Sequence, residues 1–596
     1  MAVINGTTDW GIVPLDYNGS QLSYMSQNYR SNGLKSANDQ LRYEIVWSKS
    51  GVGEAVEPAV EGDVVNVIFK VETSVNDAHW TTIGTIKKSR DITNKRYTGG
   101  NAPAGHRFTI DVSQLVADEL SYSLCPINKG TWQSNYYGGM NGGLTMQDNV
   151  INTDGITGGS AISIFNVSDN GTFRRLRVSA TFEIIGDTEN NGALEMASNT
   201  AKEAPLITVI NSVNQFERDT VYYNSSFSMY NNSSNKWQFL TRCPNWADGS
   251  IVQDFKKPVR IDEQAEWLQF YIRRNNSDGI RDSSGTTGSE VGATAIKIIT
   301  TESDGSNNTF YLRDFEDNLT TNSSNNGFVT QNDYQNQMFV QNISPYYIIN
   351  SGNVWSPVDS RSNSPSNYPY WNSYSGSTIT NETISYNAYL IRRSMWSAAI
   401  VAERRVTKYY KYTIDRENEN IPYGYVRFHW LNSMGGIDSY TAKRDVVEGL
   451  TISRDVIERK SGDRTWYQAD SNHNGAVSPN SSYISDTMRG GDIYKGGREV
   501  INVNADRVQS VYTEPLNKSV ATWLEEIMLS PNVWIEKDTD ATQMGNLRNP
   551  YLRPSTKEYI PVIITNSDIE TVNQENGLVR FNIEYTLAHK VQTQRN

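Results

Sequence analysis

The segment Arg427–Asp445, RFHWLNSMGGIDSYTAKRD, gathers side chains that chemistry could use: an imidazole at His429, carboxylates at Asp438 and Asp445, an indole and a Gly-Gly pair. A base at His429 held by Asp438 is the pairing that general acid–base catalysis requires. The same residues also make a plain β corner. On a strand, Val426, Phe428 and Trp430 share one face, and Tyr425, Arg427 and His429 share the other. The run from Asn432 to Gly436 supplies residues that tolerate positive φ, as a tight turn requires. Asp438 and Ser439 can then bond backbone N–H groups at the turn exit, and Tyr440 restarts a strand. The glycines need no ligand to account for them, and the turn lies between His429 and Asp438. The segment therefore reads as a structural corner carried by Phe428, Trp430, Gly435, Gly436, Asp438 and Tyr440. His429 and Tyr425 are left for an interface, and no catalytic residue is assigned.

Two fragments resemble calcium loops. In DSNHNG, Asp470, Asn472 and Asn474 occupy the first ligand positions and Gly475 the turn, but Ser481 stands where a bidentate Glu is needed. Asp187, Glu189, Asn191, Gly192 and Glu195 form a more acidic fragment that fails in the same place, at Ser198. Any calcium contact at these loops would be weak, so no metal and no cofactor is expected. His79, His106, His429, His473 and His589 have no metal-ligand spacing. Phosphate-loop, nucleophile-elbow and zinc-protease motifs are absent. Nothing singles out a glycosidase carboxylate pair. The aromatic run Ser364–Gly376 could stack on a host glycan, make an oligomer contact or form a wet loop. Arg404, Arg405, Lys408 and Lys411 stand among tyrosines as a local basic patch, which could face an acidic neighbour but reads first as a solvated strand face.

The elements that must position these residues are mostly strands. The chain has 596 residues, 37% apolar and 11% aromatic, with 43 glycines; that composition suits sheets with a wet face and many turns. The net charge of −12 gives no bulk attraction to nucleic acid or anionic membranes, so neither partner is expected. Cys125 and Cys243 make no disulfide framework. The N-terminus has no signal-peptide pattern, and no apolar run is long enough to insert in a membrane. No internal repeat is visible.

Strict alternation marks strands at Asp63–Glu72 and Phe173–Ile185, each with one buried and one wet face. A short helix is expected in DVSQLVADEL, capped by Asp111 or Ser113. Gly186–Pro205 reads as a linker. Further strands are expected at Trp267–Arg274, Ala293–Glu302, Asn308–Phe315, Glu382–Ile391 and Glu403–Asp415. The segment between the first two reads as a long hairpin loop or a disordered tip. Near the end, Val520, Trp523, Leu524 and Ile527 fall on one helical face, with Pro531 beyond the stop. Strands follow at Tyr559–Thr565 and Gly577–Lys590, where Val579, Phe581, Ile583, Tyr585 and Leu587 share a face. The expected architecture is mainly β: several β-sandwich-like domains in tandem with a small C-terminal α+β unit. Its divisions are an extended arm at 1–35, domains at 36–200, 201–345 and 346–506, and the C-terminal unit at 507–596.

The strand-to-helix element FTIDVSQLVADEL, the corner RFHWLNSMGGIDSYTAKRDV and the terminal unit TWLEEIMLSPNVWI…YIPVIITNSDIET…LVRFNIEYTLAHK together resemble virion structural proteins of tailed bacteriophages, especially marine phages and phages of Bacteroidota. The resemblance is diffuse and runs across most of the chain. It implies a non-enzymatic component of tail, baseplate or neck, made in the host cytoplasm and located in the virion. Its partners would be itself, as a homo-oligomer in a ring, and other virion proteins. The C-terminal unit is the element expected to carry assembly, through Trp523, Leu524, Ile527, Phe581 and Tyr585, with Trp523 and Ile527 packing its helix onto the sheet. The first alternative is a receptor-binding or polysaccharide-degrading tail fibre or spike, which needs a carboxylate pair in an aromatic cleft; the second is a secreted bacterial β-sandwich adhesin, against which the absent signal-peptide pattern counts.

Overall fold

A computed structural model describes residues 2–4, 11–14, 34–38, 41–47, 64–74, 80–91, 106–120, 124–126, 144–146, 173–185, 194–198, 201–204, 206–213, 230–231, 236–237, 239–248, 251–252, 254–261, 264–272, 293–313, 337–350, 354–358, 370–397, 400–405, 407–416, 425–458, 498–538, 557–566 and 577–588. The two most regular alternations fold as neighbours. Val64–Ser74 runs antiparallel to Phe173–Ile185 over its whole length. Val65, Val67, Phe69, Val71, Leu176, Val178, Ala180, Phe182 and Ile184 are all buried in one core. The opposite face is less wet than alternation implies. Glu72 is buried there and accepts from Arg177 at 2.9 Å and Lys70 at 2.6 Å, and the Arg177 guanidinium lies 4.3 Å from the Trp80 ring centroid.

This pair anchors an eight-stranded sheet. A three-stranded sheet of Gly11–Pro14, Arg42–Trp47 and His106–Asp111 adds Tyr43, Ile45, Phe108 and Ile110 to the same core, making a sandwich. The helix Ser113–Ala117 contributes Val116; its N-cap position is Val112, and Asp111 accepts the Ser113 N–H at 3.0 Å. Two expectations change here. The described residues of the arm are strands of this body: Ala2–Ile4 pairs with Leu194–Ser198, and Gly11–Pro14 with Arg42–Trp47. The segment read as a linker likewise folds back, with Leu194–Ser198 and Lys202–Glu203 both pairing Phe173–Ile185. Polar composition looked like a tether, but these short strands cover the sheet edge instead.

The middle of the chain forms a ten-stranded sheet. Thr383–Ser397 lies at its centre between Ala293–Glu302 and Tyr409–Asp415, and the order runs outward to Ile251–Val252 and Tyr370–Ser373. The sheet therefore crosses the expected division at 345. The expected hairpin does not form either: Trp267–Ile272 pairs with Gln337–Asn342, while Ala293–Glu302 pairs with Thr309–Arg313.

A seven-stranded antiparallel sheet completes the fold. Its order is Ile437–Ala442, Val426–Leu431, Val533–Asp538, Lys557–Ile564, Asn582–Leu587, Arg498–Tyr512, Arg444–Glu458. It runs through the division at 506. The strands at its two ends are separated in sequence by Lys443 alone, so the sheet must curl until those ends meet. The helix Lys518–Leu529 packs into the curl, capped by Asn517, whose side chain accepts the Val520 N–H at 3.0 Å.

Candidate functional site

The corner is a hairpin in which Phe428 pairs with Tyr440, His429 with Ser439 and Trp430 with Asp438. Directly opposed residues share a face, so His429 and Asp438 point to opposite sides. The catalytic pairing is thereby excluded by geometry. On one side, Phe428, Trp430 and Tyr440 enter the C-terminal core, where Trp430 and Tyr440 meet Trp523 at ring-centroid distances of 5.4 and 6.3 Å. The Trp523 indole N–H donates to Asp438 at 2.8 Å. Burial pushes the Asp438 carboxyl up, against the opposing pull of Lys257.

The other side of the hairpin is buried against the middle of the chain, and it is charged. Arg427 donates to the Glu266 carboxylate at 2.8 Å and to Ser439 at 2.9 Å, and it also bonds the Ala265 carbonyl. Lys257 Nζ reaches the other oxygen of Glu266 at 2.5 Å. His429 Nε2 lies 2.8 Å from Glu536, which stands 4.0 Å from Arg427 Nε. All five of these side chains are at most 4% exposed. Two cations and two anions balance, which buried charges must do to persist. Burial raises the Glu266 carboxyl, but Lys257 and Arg427 outweigh it and hold it below the ordinary range. Burial pushes His429 down, more strongly than Glu536 lifts it, so the imidazole favours its neutral form.

The turn meets the first sandwich. Asn432 organises it: the side-chain oxygen accepts the N–H groups of Met434 and Gly436, both at 2.9 Å, and the amide donates to the Leu240 carbonyl at 2.7 Å. Gly435 has φ +82°, and a Cβ there would stand 2.9 Å from the Asn211 carbonyl oxygen. Only glycine fits. Ser433 donates to the buried Glu526 at 2.6 Å and accepts from Arg242 at 2.6 Å, while its carbonyl takes the Val213 N–H. The corner is therefore the place where all three sheet bodies are bonded together. Sequence alone missed Lys257, Glu266 and Glu536, because nothing local marks a charge whose partner is distant in the chain.

Trp523, Leu524, Ile527, Phe581 and Tyr585 are at most 2% exposed and fill the C-terminal core. They hold the unit together and present no surface to a partner. The Asp470–Gly475 loop and the start of the Asp187 fragment lie outside the described residues. Among the described residues, no group of His, Cys, Asp or Glu is arranged to hold a metal, and no helix is long and apolar enough to cross a membrane. The basic patch is divided: Lys408 is buried with its ammonium 3.8 Å from the Trp246 ring centroid, and Arg405 lies over Tyr409.

The surface that stands out was not read as a site in the sequence. Arg444–Glu458 and Arg498–Tyr512 form a ribbon of two 15-residue strands. Val508–Tyr512 also pairs with Asn582–Thr586. From Arg507 outward the two strands pair only with each other among the described residues. Val447, Leu450, Ile452, Val456, Ile457 and Ile501 are 37–58% exposed along it. Leu450, Ile452 and Val456 continue the face on which Val446 packs against the C-terminal core, beyond the reach of the helix. The available signal was the alternation in VVEGLTISRDVI, which shows that a face exists but not what covers it.

No protein-family model matches the chain, and no curated protein matches it.

Proposed function

We propose that this protein is a structural component of a tailed-phage virion that assembles through contacts with copies of itself and with other virion proteins, in the tail, baseplate or neck. The observation that carries the assembly half of this reading is the ribbon. Two strands alone are marginal in water, and the exposed Val, Leu and Ile along them mark an interaction surface. The resemblance of the corner and the C-terminal unit to phage proteins supplies the particle. The buried charges favour architecture over chemistry. Glu266, Glu302, Glu526 and Glu536 are each bonded to the chain's own groups, and Glu302 is held by Thr300, Thr380 and Thr383.

The test is the native mass of the purified protein over a concentration series, with negative-stain electron microscopy of the same sample. Closed rings or smaller defined homo-oligomers are expected. A monomer at every concentration overturns the homo-oligomeric reading. An elongated trimer that releases reducing ends from host polysaccharide replaces it with the tail-spike alternative.

A further inference from the structure

The ribbon has an outer strand, Arg444–Glu458, which ends the seven-stranded sheet. An outer strand offers a row of backbone donors and acceptors to a further strand. The bulge near the ribbon tip places its extra residue, Ile501, on the inner strand, because Asp455 pairs with Asn502 and Val456 with Val500. The outer strand keeps an unbroken alternation from Val447 to Ile457. Its core-continuing face reads Glu448, Leu450, Ile452, Arg454, Val456.

Resting on the homo-oligomeric reading above, we propose that this strand pairs with the same strand of a second copy of the chain, antiparallel, about a two-fold axis at Thr451. The sequence is complementary to itself in that register. Glu448 of one copy stands opposite Arg454 of the other, Leu450 opposite Ile452, and Thr451 opposite itself. Neighbouring registers lose this match. With the axis at Ile452, Leu450 meets Arg454 and Glu448 meets Val456. With the axis at Leu450, Glu448 meets Ile452. Both arrangements set an unpaired charge against an apolar side chain. Within its own chain, Glu448 already accepts from Arg507 at 2.8 Å in an exposed pair, so the partner's Arg454 would complete a line of alternating charge. The paired ribbons form one continuous sheet whose apolar face carries Leu450, Ile452 and Val456 from each copy.

Thr451→Cys in the full chain tests the axis directly. Opposed residues in an antiparallel pair have Cα atoms about 4.5–5.5 Å apart, within disulfide range. With oxidised glutathione as oxidant, Thr451→Cys is expected to give a covalent dimer on a non-reducing gel, while Ser453→Cys, which would face Gly449, gives little. The unsubstituted chain controls for Cys125 and Cys243. In parallel, Arg454→Glu is expected to raise the dissociation constant about tenfold by setting like charges opposite each other twice. Glu448→Arg combined with Arg454→Glu should restore association. Equal linking at Ser453, or a homo-oligomer indifferent to both the single and the double charge variant, overturns the two-fold pairing and leaves the homo-oligomeric reading standing. A monomer that links at neither position overturns both, and leaves residues 459–497 or a different virion protein as the cover of the ribbon.

Discussion

The junction at Arg427 and the ribbon at Leu450 reverse the usual distribution of side chains in opposite senses. At the junction, charges lie inside: Lys257, Glu266, Arg427 and Glu536 are buried between the hairpin and the middle of the chain. On the ribbon, aliphatic side chains lie outside. Each departs from the rule that makes exposed polar and buried apolar groups unremarkable. The difference lies in how each is completed. At the junction each ion already faces an opposite charge of the same chain, so its charges need no ligand. The ribbon's aliphatic side chains stand 37–58% exposed, and the proposed assembly is what would cover them. Charge in a protein is no better a guide to chemistry than oil is to a core; what matters is whether the partner is already present.

Four experiments would break or sharpen this contrast. The largest effect is expected at the junction. Arg427→Met strands Glu266 and Glu536 without their shared cation and should destabilise the fold by roughly 3–5 kcal/mol in chemical denaturation; a loss under about 1 kcal/mol would mean that the network is slack. Gly435→Ala should cost about 1–3 kcal/mol, because it forces a Cβ into the left-handed region and against the Asn211 carbonyl. An unchanged denaturation midpoint would place the turn elsewhere.

The third is a pH dependence. His429 titrates below its ordinary value of 6.5 in the folded chain. The unfolded chain therefore binds the proton first. The contribution of His429 is full above that value and is lost as pH falls from it toward the folded pKa. His429→Gln, which keeps a donor for Glu536, should flatten the slope of melting temperature against pH in that window. Parallel slopes for variant and parent would refute the assignment. The smallest stability effect belongs to the ribbon. Ile452→Thr should leave monomer stability within about 0.5 kcal/mol while lowering association. A large stability loss would show that Ile452 is covered within its own chain.

The strands Val64–Ser74 and Phe173–Ile185 and the helix Lys518–Leu529 were legible because each carries its own period over its whole length. The corner was legible as a hairpin for the same reason, with Asn432 and Gly435 marking the turn. Its second face was not. Arg427 bonds Glu266 161 positions away, and His429 bonds Glu536 107 positions away. A local pattern assigns such charges to solvent. The sheets also ran through the expected divisions, because strand pairing is chosen by the whole surface and not by the interval between polar loops. Trp523 and Ile527 pack the helix onto the sheet, as their spacing implies, and so leave no surface of their own for a partner.

Lys443 gives the two regions a mechanical relation. It is the single residue between Ile437–Ala442, which is packed into the junction, and Arg444–Glu458, which forms the outer ribbon strand, and its ammonium is paired with Asp415 of the middle sheet. A tug on the ribbon therefore reaches the joint of the three sheets with almost no slack in the chain and is met there by a tether. The ribbon is the handle of a beam whose far end is already bolted. In a force experiment pulling from residue 451, rupture of the Lys443 tether should precede the opening of the sandwich at the N-terminal end.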